Sequence, residues 1–307
     1  MCYSVYIDIC KGYLLYAVVV YFAVKVFYFL SICTKNWFER NPTRNVNDNF
    51  KTPTVNSFAD TKQIDSEVDK EENEENEENG CLPALPQHLQ HIPLEYRRMS
   101  HNDMVDASLK FYQIMNQRRT VRHFSCDPVP IEVIQNIIRT AGTAPSGAHT
   151  EPWIFAVVES LDVKQKIRTI IEEEEEINYK KRMGKIWTTD LKPLRTNWVK
   201  EYLTEAPYLI LVFKQLYSFR EDGIKKLHYY NEQSVSIAVG ILLTAIHHAG
   251  LVSLTSTPLN CGPAIRKLLD RPLSEKLTIL LPVGYPAEGC TVPDLKRKDL
   301  EHIMVKY

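Results

Sequence analysis

Apolar and polar residues are distributed in three ways along the 307-residue chain. Residues 13–33 form a nearly unbroken apolar run, whereas residues 34–95 contain few large apolar side chains. Residues 96–307 have the mixed spacing that is typical of a folded domain. We therefore expect an N-terminal tail (1–12), a transmembrane helix (13–33), a flexible acidic linker (34–95) and one folded domain (96–307).

Within the folded domain, the spacing of apolar residues predicts helices and strands in mixed order. The expected helices cover 103–118, 131–140, 161–183, 190–203 and 231–248, and the expected strands cover 153–158, 208–213, 251–257 and 277–283. Because the strands are few and irregularly spaced, we expect an α+β domain with helices around a central sheet. A ladder of βαβ repeats fits this spacing less well.

The apolar run is long enough to cross a bilayer as a helix, which takes about 20 residues. Lys25 is its only charged residue. A lysine at the bilayer centre costs roughly 2.5–3.5 kcal/mol on insertion scales, which the neighbouring apolar residues can offset. A secretory signal peptide is the alternative, but no small-residue cleavage site follows the run. We therefore predict a single-pass membrane protein.

The residues beside the run favour a cytosolic folded domain. Lys35, Arg40 and Arg44 follow it, whereas Lys11 is the only basic residue before it, and basic residues remain on the cytosolic side. The seven cysteines include no Cys-x-x-Cys pair, which is typical of free thiols in a reducing compartment.

Within the linker, the segment 41–80 ends in a threefold Glu-Glu-Asn repeat at 71–79. It has too little apolar surface to offset the entropy lost on ordering, so we expect a flexible tether. The net charge of the whole chain is −1, which gives no reason to expect nucleic acid as a partner. The histidines and cysteines lack zinc spacing, so no metal site is expected.

The strongest chemical signal is a cluster of three arginines and a hydroxyl at 118–122. Guanidinium groups are forked donors that match phosphate oxygens in pairs. An exposed charge cluster is the alternative. Arg297, the tight loop 144–153 and the hydroxyl cluster 255–257 are further candidates for contact with an anionic cofactor. No G-x-G-x-x-G, Walker loop or nucleophile elbow is present, which disfavours classical dinucleotide and serine-hydrolase sites.

Residues from about 101 to 305 closely resemble the iodotyrosine deiodinase family, a flavin-dependent branch of the nitroreductase superfamily. The arginine cluster and Arg297 are shared widely among nitroreductases, whereas the combination of PSGAHTEPW (145–153) with EEEEEINY (172–179) is specific to the deiodinase branch. Other matching segments are 140–144, 180–183, 194–203, 228–231, 257–263, 281–286 and 291–298.

The resemblance implies FMN as cofactor, a nitroreductase-like fold with a central, mainly antiparallel sheet, and a domain-swapped homodimer with two shared sites. The residues contacting FMN would be Arg118, Arg119, Thr120, Val121, Arg122, Ser146, Thr255, Ser256, Thr257 and Arg297. Among these, Ser146 would act from the partner protomer. Thr257 would be catalytic, bonding to flavin N5. Thr120 and Ser256 depart from the vertebrate pattern only by exchanging one hydroxyl residue for another.

The resemblance also implies a halotyrosine substrate. The Ala148 N–H would bind its phenolate, and Glu175, Tyr179 and Lys200 would bind its zwitterionic end. The sequence supports this set, because Glu175 and Tyr179 are spaced i,i+4 on one predicted helix. The other glutamates of the 172–176 run are expected to be solvated. NADPH is the expected electron donor, through a separate reductase, since no dinucleotide site is visible.

Two alternatives remain open at this stage. A generalist nitro or quinone reductase would use the same flavin pocket, but it has no need for residues that bind a zwitterion. A membrane-tethered flavin-binding accessory subunit would use Lys25 to contact a partner helix, although a lysine whose ammonium reaches the interface is a simpler explanation.

Overall fold

The computed structural model describes residues 83–219, 223 and 225–307. The predicted N-terminal tail and transmembrane helix, and most of the predicted linker, lie outside these residues and stay predictions. Within the described ranges, no helix combines the length and apolar character that a membrane span requires. The three cysteines there (Cys126, Cys261 and Cys290) are free.

The described chain begins in mostly exposed coil and then alternates helices with strands. Its helices are α1 (His101–Gln117), α2 (Ile131–Ala141), α3 (Leu161–Ile177), α4 (Lys185–Leu191), α5 (Tyr202–Glu205), α6 (Asn231–His248) and α7 (Gly262–Leu268). Its strands are β1 (Trp153–Val158), β2 (Tyr208–Gln215), β3 (Tyr217–Phe219), β4 (Lys225–Leu227), β5 (Val252–Ser253) and β6 (Glu275–Gly284). The predicted helices 103–118, 131–140 and 231–248 and the strands 153–158, 208–213 and 277–283 are confirmed.

The main sheet has the order β1-β2-β6-β5, and every neighbouring pair in it is antiparallel. Successive residues of a strand point to opposite faces. Tyr208, Ile210 and Val212 of β2 therefore pack against α2 and α6, whereas the residues between them pack against α3, α5 and α7. Helices cover both faces of the sheet, so the predicted α+β class with a central antiparallel sheet is confirmed.

The predicted helix 190–203 is wrong. After α4, a single 3-10 turn at Lys192–Leu194 ends in Arg195, whose φ is 50°. The Asn197 side chain then accepts a hydrogen bond from the Val199 N–H at 2.8 Å, a local bond that competes with helix formation. Regular helix resumes only at Tyr202.

Two further predictions need adjustment. The helix predicted to reach 183 is an α-helix to Ile177 and then a π-helical turn over Asn178–Arg182. The strand predicted at 251–257 shortens to Val252–Ser253, although Ser256 pairs again with Leu280. The β3–β4 hairpin and α7 were not predicted.

Candidate active site

The arginine segment runs along the edge of the main sheet. Thr120 forms an isolated parallel bridge with Ser253 of β5, and the Val121 N–H donates to the Ser253 carbonyl at 3.2 Å. The Val121 side chain is buried in the core. Because side chains alternate in extended backbone, this anchor directs Thr120 and Arg122 to the opposite side, where both are half-buried.

The C-terminal segment returns to the arginine segment through Arg297. Its guanidinium donates to the Asn116 carbonyl at 2.9 Å and to the Arg118 carbonyl at 2.7 Å. The neighbouring Arg119 guanidinium donates to the Pro293 carbonyl. The arginines at 118, 119 and 297 are thus held together by backbone carbonyls on α1 and on the C-terminal segment.

This arginine group is rich in positive charge. Within the described residues, none of Arg118, Arg119, Arg122 and Arg297 forms an ion pair with a carboxylate. Burial, and then repulsion from Arg297, lower the pKa of Arg118. Clustered guanidinium groups that lack a carboxylate suit a bound phosphate, since bidentate contacts of this kind are strong.

A second group brings together Glu175, Tyr179 and Lys200. The Lys200 ammonium lies 3.6 Å from the Glu175 carboxylate, and their side chains are only 8% and 15% exposed, respectively. The ammonium also lies 5.4 Å from the centroid of the Tyr179 ring. Burial lowers the pKa of Lys200, and the nearby Glu175 opposes that shift. One positive and one negative charge are therefore held side by side in a sheltered position.

Lys200 reaches this position from a turn and not from the predicted helix. Its backbone N–H donates to the Glu172 carboxylate at 2.6 Å, and its side chain donates to the Asn197 carbonyl. Glu172 also accepts from Arg168 at 2.8 Å. The prediction that Glu172 is merely solvated is therefore wrong, because this carboxylate fixes the turn that carries Lys200.

The remaining glutamates of the acidic run differ from one another. Glu174 pairs with Arg182 at 2.8 Å and Glu176 pairs with Lys180 at 2.6 Å. Glu173 is exposed, as the prediction of a solvated face requires. The pairs of Glu174 and Glu176 join α3 to the π-helical turn, so the segment that carries Tyr179 is tied to the helix that carries Glu175.

Tyr202 links the two groups and was missed by sequence reasoning. Burial raises the pKa of the Tyr202 phenol, whereas a hydrogen bond with the Ser256 side chain lowers it. The negative charge of Glu175 also raises this pKa and the positive charge of Arg122 lowers it, so both charged groups lie near the phenol. A single tyrosine among polar residues carries no motif of its own. Its position two residues after Lys200 was the only available signal.

The hydroxyl cluster lies just beyond β5. The Ser256 backbone exchanges hydrogen bonds with Leu280 at 2.9 and 2.8 Å, which fixes the segment against β6. Thr255 and Thr257 are exposed, and their hydroxyls donate to no residue in the part of the chain that the structure describes. These hydroxyls are therefore free for a ligand rather than used to satisfy the backbone.

Ser146 and Ala148 belong to the loop that precedes β1. The Ser146 hydroxyl accepts from the Glu151 N–H at 3.0 Å, and Ala148 is exposed with φ of 48°. No hydrogen bond or ion pair connects either residue to the arginine segment or to Glu175, Tyr179 and Lys200 within the described ranges. Among the described residues, this loop is therefore not bonded directly to the other predicted site residues.

Comparison with known proteins agrees with this architecture. Residues 115–285 match the nitroreductase family. A crystal structure of oxidized iodotyrosine deiodinase bound to FMN and 3-iodo-L-tyrosine superposes with a TM-score of 0.56 at 34% identity, covering 64% of this chain and 98% of that chain. A BluB-like flavoprotein from Clostridium difficile shares the fold with a TM-score of 0.51 at 21% identity, covering 64% of this chain and 98% of that chain.

Curated relatives are more similar in sequence. Iodotyrosine deiodinase of Daphnia pulex is 56% identical over 261 residues, which cover 85% of this chain and 84% of the relative. Human iodotyrosine deiodinase 1 is 64% identical over 219 residues, which cover 71% of this chain and 76% of the relative. The chain belongs to the nitroreductase family and, within it, to the iodotyrosine deiodinases.

Proposed function

We propose that this protein is an FMN-dependent enzyme that reductively removes halide from halotyrosines, converting mono- and diiodotyrosine to tyrosine plus iodide. Each carbon–iodine bond that breaks takes up two electrons and one proton, a carbon–hydrogen bond forms, and iodide leaves. The sheltered Glu175–Lys200 pair beside Tyr179 carries this proposal. An amino acid presents one cation and one anion, and this pair offers the complementary charges.

The residues present fit FMN. The arginine group holds positive charge without a carboxylate partner among the described residues, and the flavin phosphate would supply the missing anion. Arg118, Arg119, Thr120, Arg122 and Arg297 would hold the phosphate and ribityl end, with Val121 anchoring the segment to the sheet. Thr255 and Ser256 would line the flavin ring. When bound, FMN supplies the electrons for dehalogenation, as flavins do in other oxidoreductases.

The protein's own residues would orient the substrate over the flavin. Glu175 would bind the substrate ammonium, and Lys200, with Tyr179 beside it, would bind the carboxylate. The Ala148 N–H would donate to the phenolate oxygen. Closure of the segment that contains Tyr179 and Lys200 would exclude water, which strengthens these electrostatic contacts. Thr257, whose hydroxyl is free in the described structure, would bond to flavin N5 and act as the catalytic residue.

The alternatives explain less of the geometry. A generalist nitro or quinone reductase has no use for a buried carboxylate and ammonium beside the flavin, since its substrates carry no zwitterion. A membrane-tethered accessory subunit would need none of these side chains in a closed arrangement. Its support is Lys25, which lies outside the described residues.

The proposed assembly is a domain-swapped homodimer with two shared sites. Helix α1 buries none of its residues in the single chain, although it carries Met104, Leu109 and Phe111 at 52%, 50% and 54% exposure. The C-terminal residues Ile303 and Val305 are also exposed. Apolar surface of this extent usually marks an interface. A partner protomer would cover it and would bring Ser146 to the flavin.

Complementation tests this arrangement. The Arg119→Ala substitution damages the phosphate site on the chain that carries it. The Ser146→Glu substitution damages the site of the partner chain. Co-expressed, the two inactive chains form heterodimers in which one site combines the intact arginine segment with the intact Ser146. We expect activity to return in the mixed dimer. Mixtures that stay inactive would show that each chain completes its own site.

We further propose a single-pass membrane anchor at 13–33 with the catalytic domain in the cytosol, where NADPH supplies electrons through a separate reductase. The apolar run, the basic residues after it and the absence of a dinucleotide motif in the sequence support this proposal. Protease treatment of sealed vesicles should digest a cytosolic domain without detergent. Protection of the domain until detergent is added would reverse the sidedness.

A spectral titration tests the proposed function. The purified protein should be yellow, with a flavin absorbance that changes when 3-iodo-L-tyrosine is added. The change should saturate at one ligand per flavin. A colourless protein, or a flavin spectrum that ignores this ligand, would contradict the proposal.

A further inference from the structure

The loop that carries Ala148 is held in an unusual backbone conformation. Ala148, His149 and Glu151 all have positive φ, at 48°, 53° and 48°. Residues other than glycine adopt this region rarely, and a cluster of them persists only where surrounding contacts hold it. The contacts that hold this loop therefore decide where the Ala148 N–H points.

Thr150 makes the decisive contacts. Its backbone N–H and its hydroxyl both donate to the Gly147 carbonyl, at 3.1 and 2.9 Å, and its side chain is buried. The Gly147 carbonyl and the Ala148 N–H belong to one peptide unit. In a trans peptide these two groups point in opposite directions, so fixing the carbonyl fixes the direction of the N–H.

His228 lies close to the Thr150 backbone. The ring is buried, and its Nε2 lies 3.0 Å from the Ser218 hydroxyl. Its buried Nδ1 forms no hydrogen bond of ordinary geometry among the described residues. Because Ser218 occupies Nε2, we infer that the nearby Thr150 backbone lies on the Nδ1 side. Burial of the ring and the positive charge of Lys226 lower the pKa of His228 to about 4. The Thr150 backbone acts in the opposite direction and raises this pKa. The ring is therefore neutral at neutral pH, with one donor and one acceptor nitrogen.

Gly147 lets the loop lie directly on the segment that follows His228. A Cβ at this position would lie 3.0 Å from the Tyr229 carbonyl and 3.3 Å from the Tyr230 ring. The loop and the 228–230 segment are thus in tight contact, and a shift of one moves the other.

We propose that the Thr150 hydroxyl, supported by His228, is a positioning group that aims the Ala148 N–H and so sets the preference for a ligand that carries a phenolate. This inference rests on the proposed function, because it takes the Ala148 N–H as the donor to the phenolate. Thr150 and His228 touch neither substrate nor cofactor in this arrangement. They act through the Gly147–Ala148 peptide.

Two ligands that differ by one oxygen test the proposal. 3-Iodo-L-tyrosine and 3-iodo-L-phenylalanine share the iodine and the zwitterion, but only the first has the phenol. Their dissociation constants are measured on the full-length holoprotein from the flavin spectrum. In the parent protein, the hydrogen bond to the charged phenolate oxygen should make the dissociation constant of iodotyrosine lower than that of iodophenylalanine by a ratio of about ten or more. Thr150→Val should reduce this ratio roughly tenfold, whereas Thr150→Ser should keep it.

Thr143→Val is the matched control. Its hydroxyl makes the same kind of local bond, to the Thr140 carbonyl at 2.8 Å, at an exposed position before the loop. The ratio should be unchanged in this variant. A parental ratio in Thr150→Val, or an equal loss in Thr150→Val and Thr150→Ser, overturns the proposal. A parent that binds neither ligand contradicts the proposed function itself.

A second pair of variants tests His228 even where Thr150→Val folds poorly. An asparagine at 228 keeps a polar group near the Nδ1 position, which faces Thr150, whereas a glutamine keeps one near Nε2, which faces Ser218. His228→Asn should retain the ligand ratio and His228→Gln should lose it. Equal ratios in the two variants overturn the role assigned to His228.

Discussion

The Lys200 ammonium and the Glu175 carboxylate lie 3.6 Å apart with little exposure of either side chain. They come from different elements, since Glu175 lies on α3 and Lys200 lies in the turn before α5. Glu172 joins these elements by accepting from the Lys200 backbone at 2.6 Å. A pair of opposite charges that is fixed by a third residue is prepared to bind both ends of a zwitterion.

Replacing Glu175 should separate recognition of the zwitterion from recognition of the ring. Glu175→Gln keeps the shape but removes the charge, and a hydrogen bond to a charged group contributes roughly 1.5–3 kcal/mol. We expect 3-iodo-L-tyrosine to bind about tenfold or more weakly, while 2-iodophenol is almost unaffected. Glu173→Gln, on the exposed side of the same helix, is the control. Equal losses for both ligands would show that these residues do not recognise the zwitterion.

Removing one arginine should release flavin. Arg119 is held toward the C-terminal segment by the Pro293 carbonyl, and truncating one partner of a buried charged pair costs roughly 2–5 kcal/mol. Arg119→Ala should purify with far less flavin per chain, measured by absorbance after denaturation. Arg139→Ala, on the exposed face of α2, should stay fully loaded. Full flavin content in Arg119→Ala would exclude this residue from the phosphate site.

Thr257 should affect the reaction rather than binding. Its hydroxyl is exposed and bonds to no described residue, so Thr257→Ala leaves the fold intact. FMN and 3-iodo-L-tyrosine should bind within about twofold of the parent, while iodide release falls more than tenfold, as expected for a bond worth roughly 1.5–3 kcal/mol. Reduction of a nitroaromatic should be retained. Parental rates of iodide release would remove Thr257 from the mechanism, and Thr143→Ala provides the control.

His228 predicts how stability changes with pH. Its pKa is lowered to about 4 in the fold, against about 6.5 in an unfolded chain. As the pH falls from 6.5 toward 4, the unfolded chain takes up a proton that the folded ring does not, so stability falls. In urea unfolding at a series of pH values, the free energy of unfolding of His228→Phe should fall less steeply over this window. The difference in slope should correspond to roughly one proton. Parallel curves for the two proteins would contradict a buried neutral ring, and exposed His248→Phe should match the parent.

The sequence predicts those elements whose own periodicity determines them. The helix 231–248 and the strand 153–158 agree with the structure residue for residue, because their apolar spacing matches the faces they bury. The failure at 190–203 has a local cause, since Pro193 and the Asn197 side chain favour turns over helix. Hairpin β3–β4 has only three residues in each strand, too few for a period to be visible.

For the candidate site, the sequence predicted residues that the structure places in two groups, but not the contacts that hold them. Arg118, Glu175 and Lys200 are recognisable from their motifs. Tyr202 and Glu172 were missed or misassigned because their roles depend on tertiary contacts, with Ser256 in the first case and with the Lys200 backbone in the second. Such contacts join residues that are distant in sequence, and a periodic pattern does not record them.

The products of a single anaerobic turnover test the central claim most directly. The flavin of the full-length protein is reduced chemically with one two-electron equivalent, excess reductant is removed, and 3-iodo-L-tyrosine is added. The account predicts that one iodide and one tyrosine appear as the flavin reoxidises, with no such products from denatured protein. A flavin that stays reduced with 3-iodo-L-tyrosine, yet reoxidises promptly with a nitroaromatic compound, would contradict the account and identify a generalist reductase.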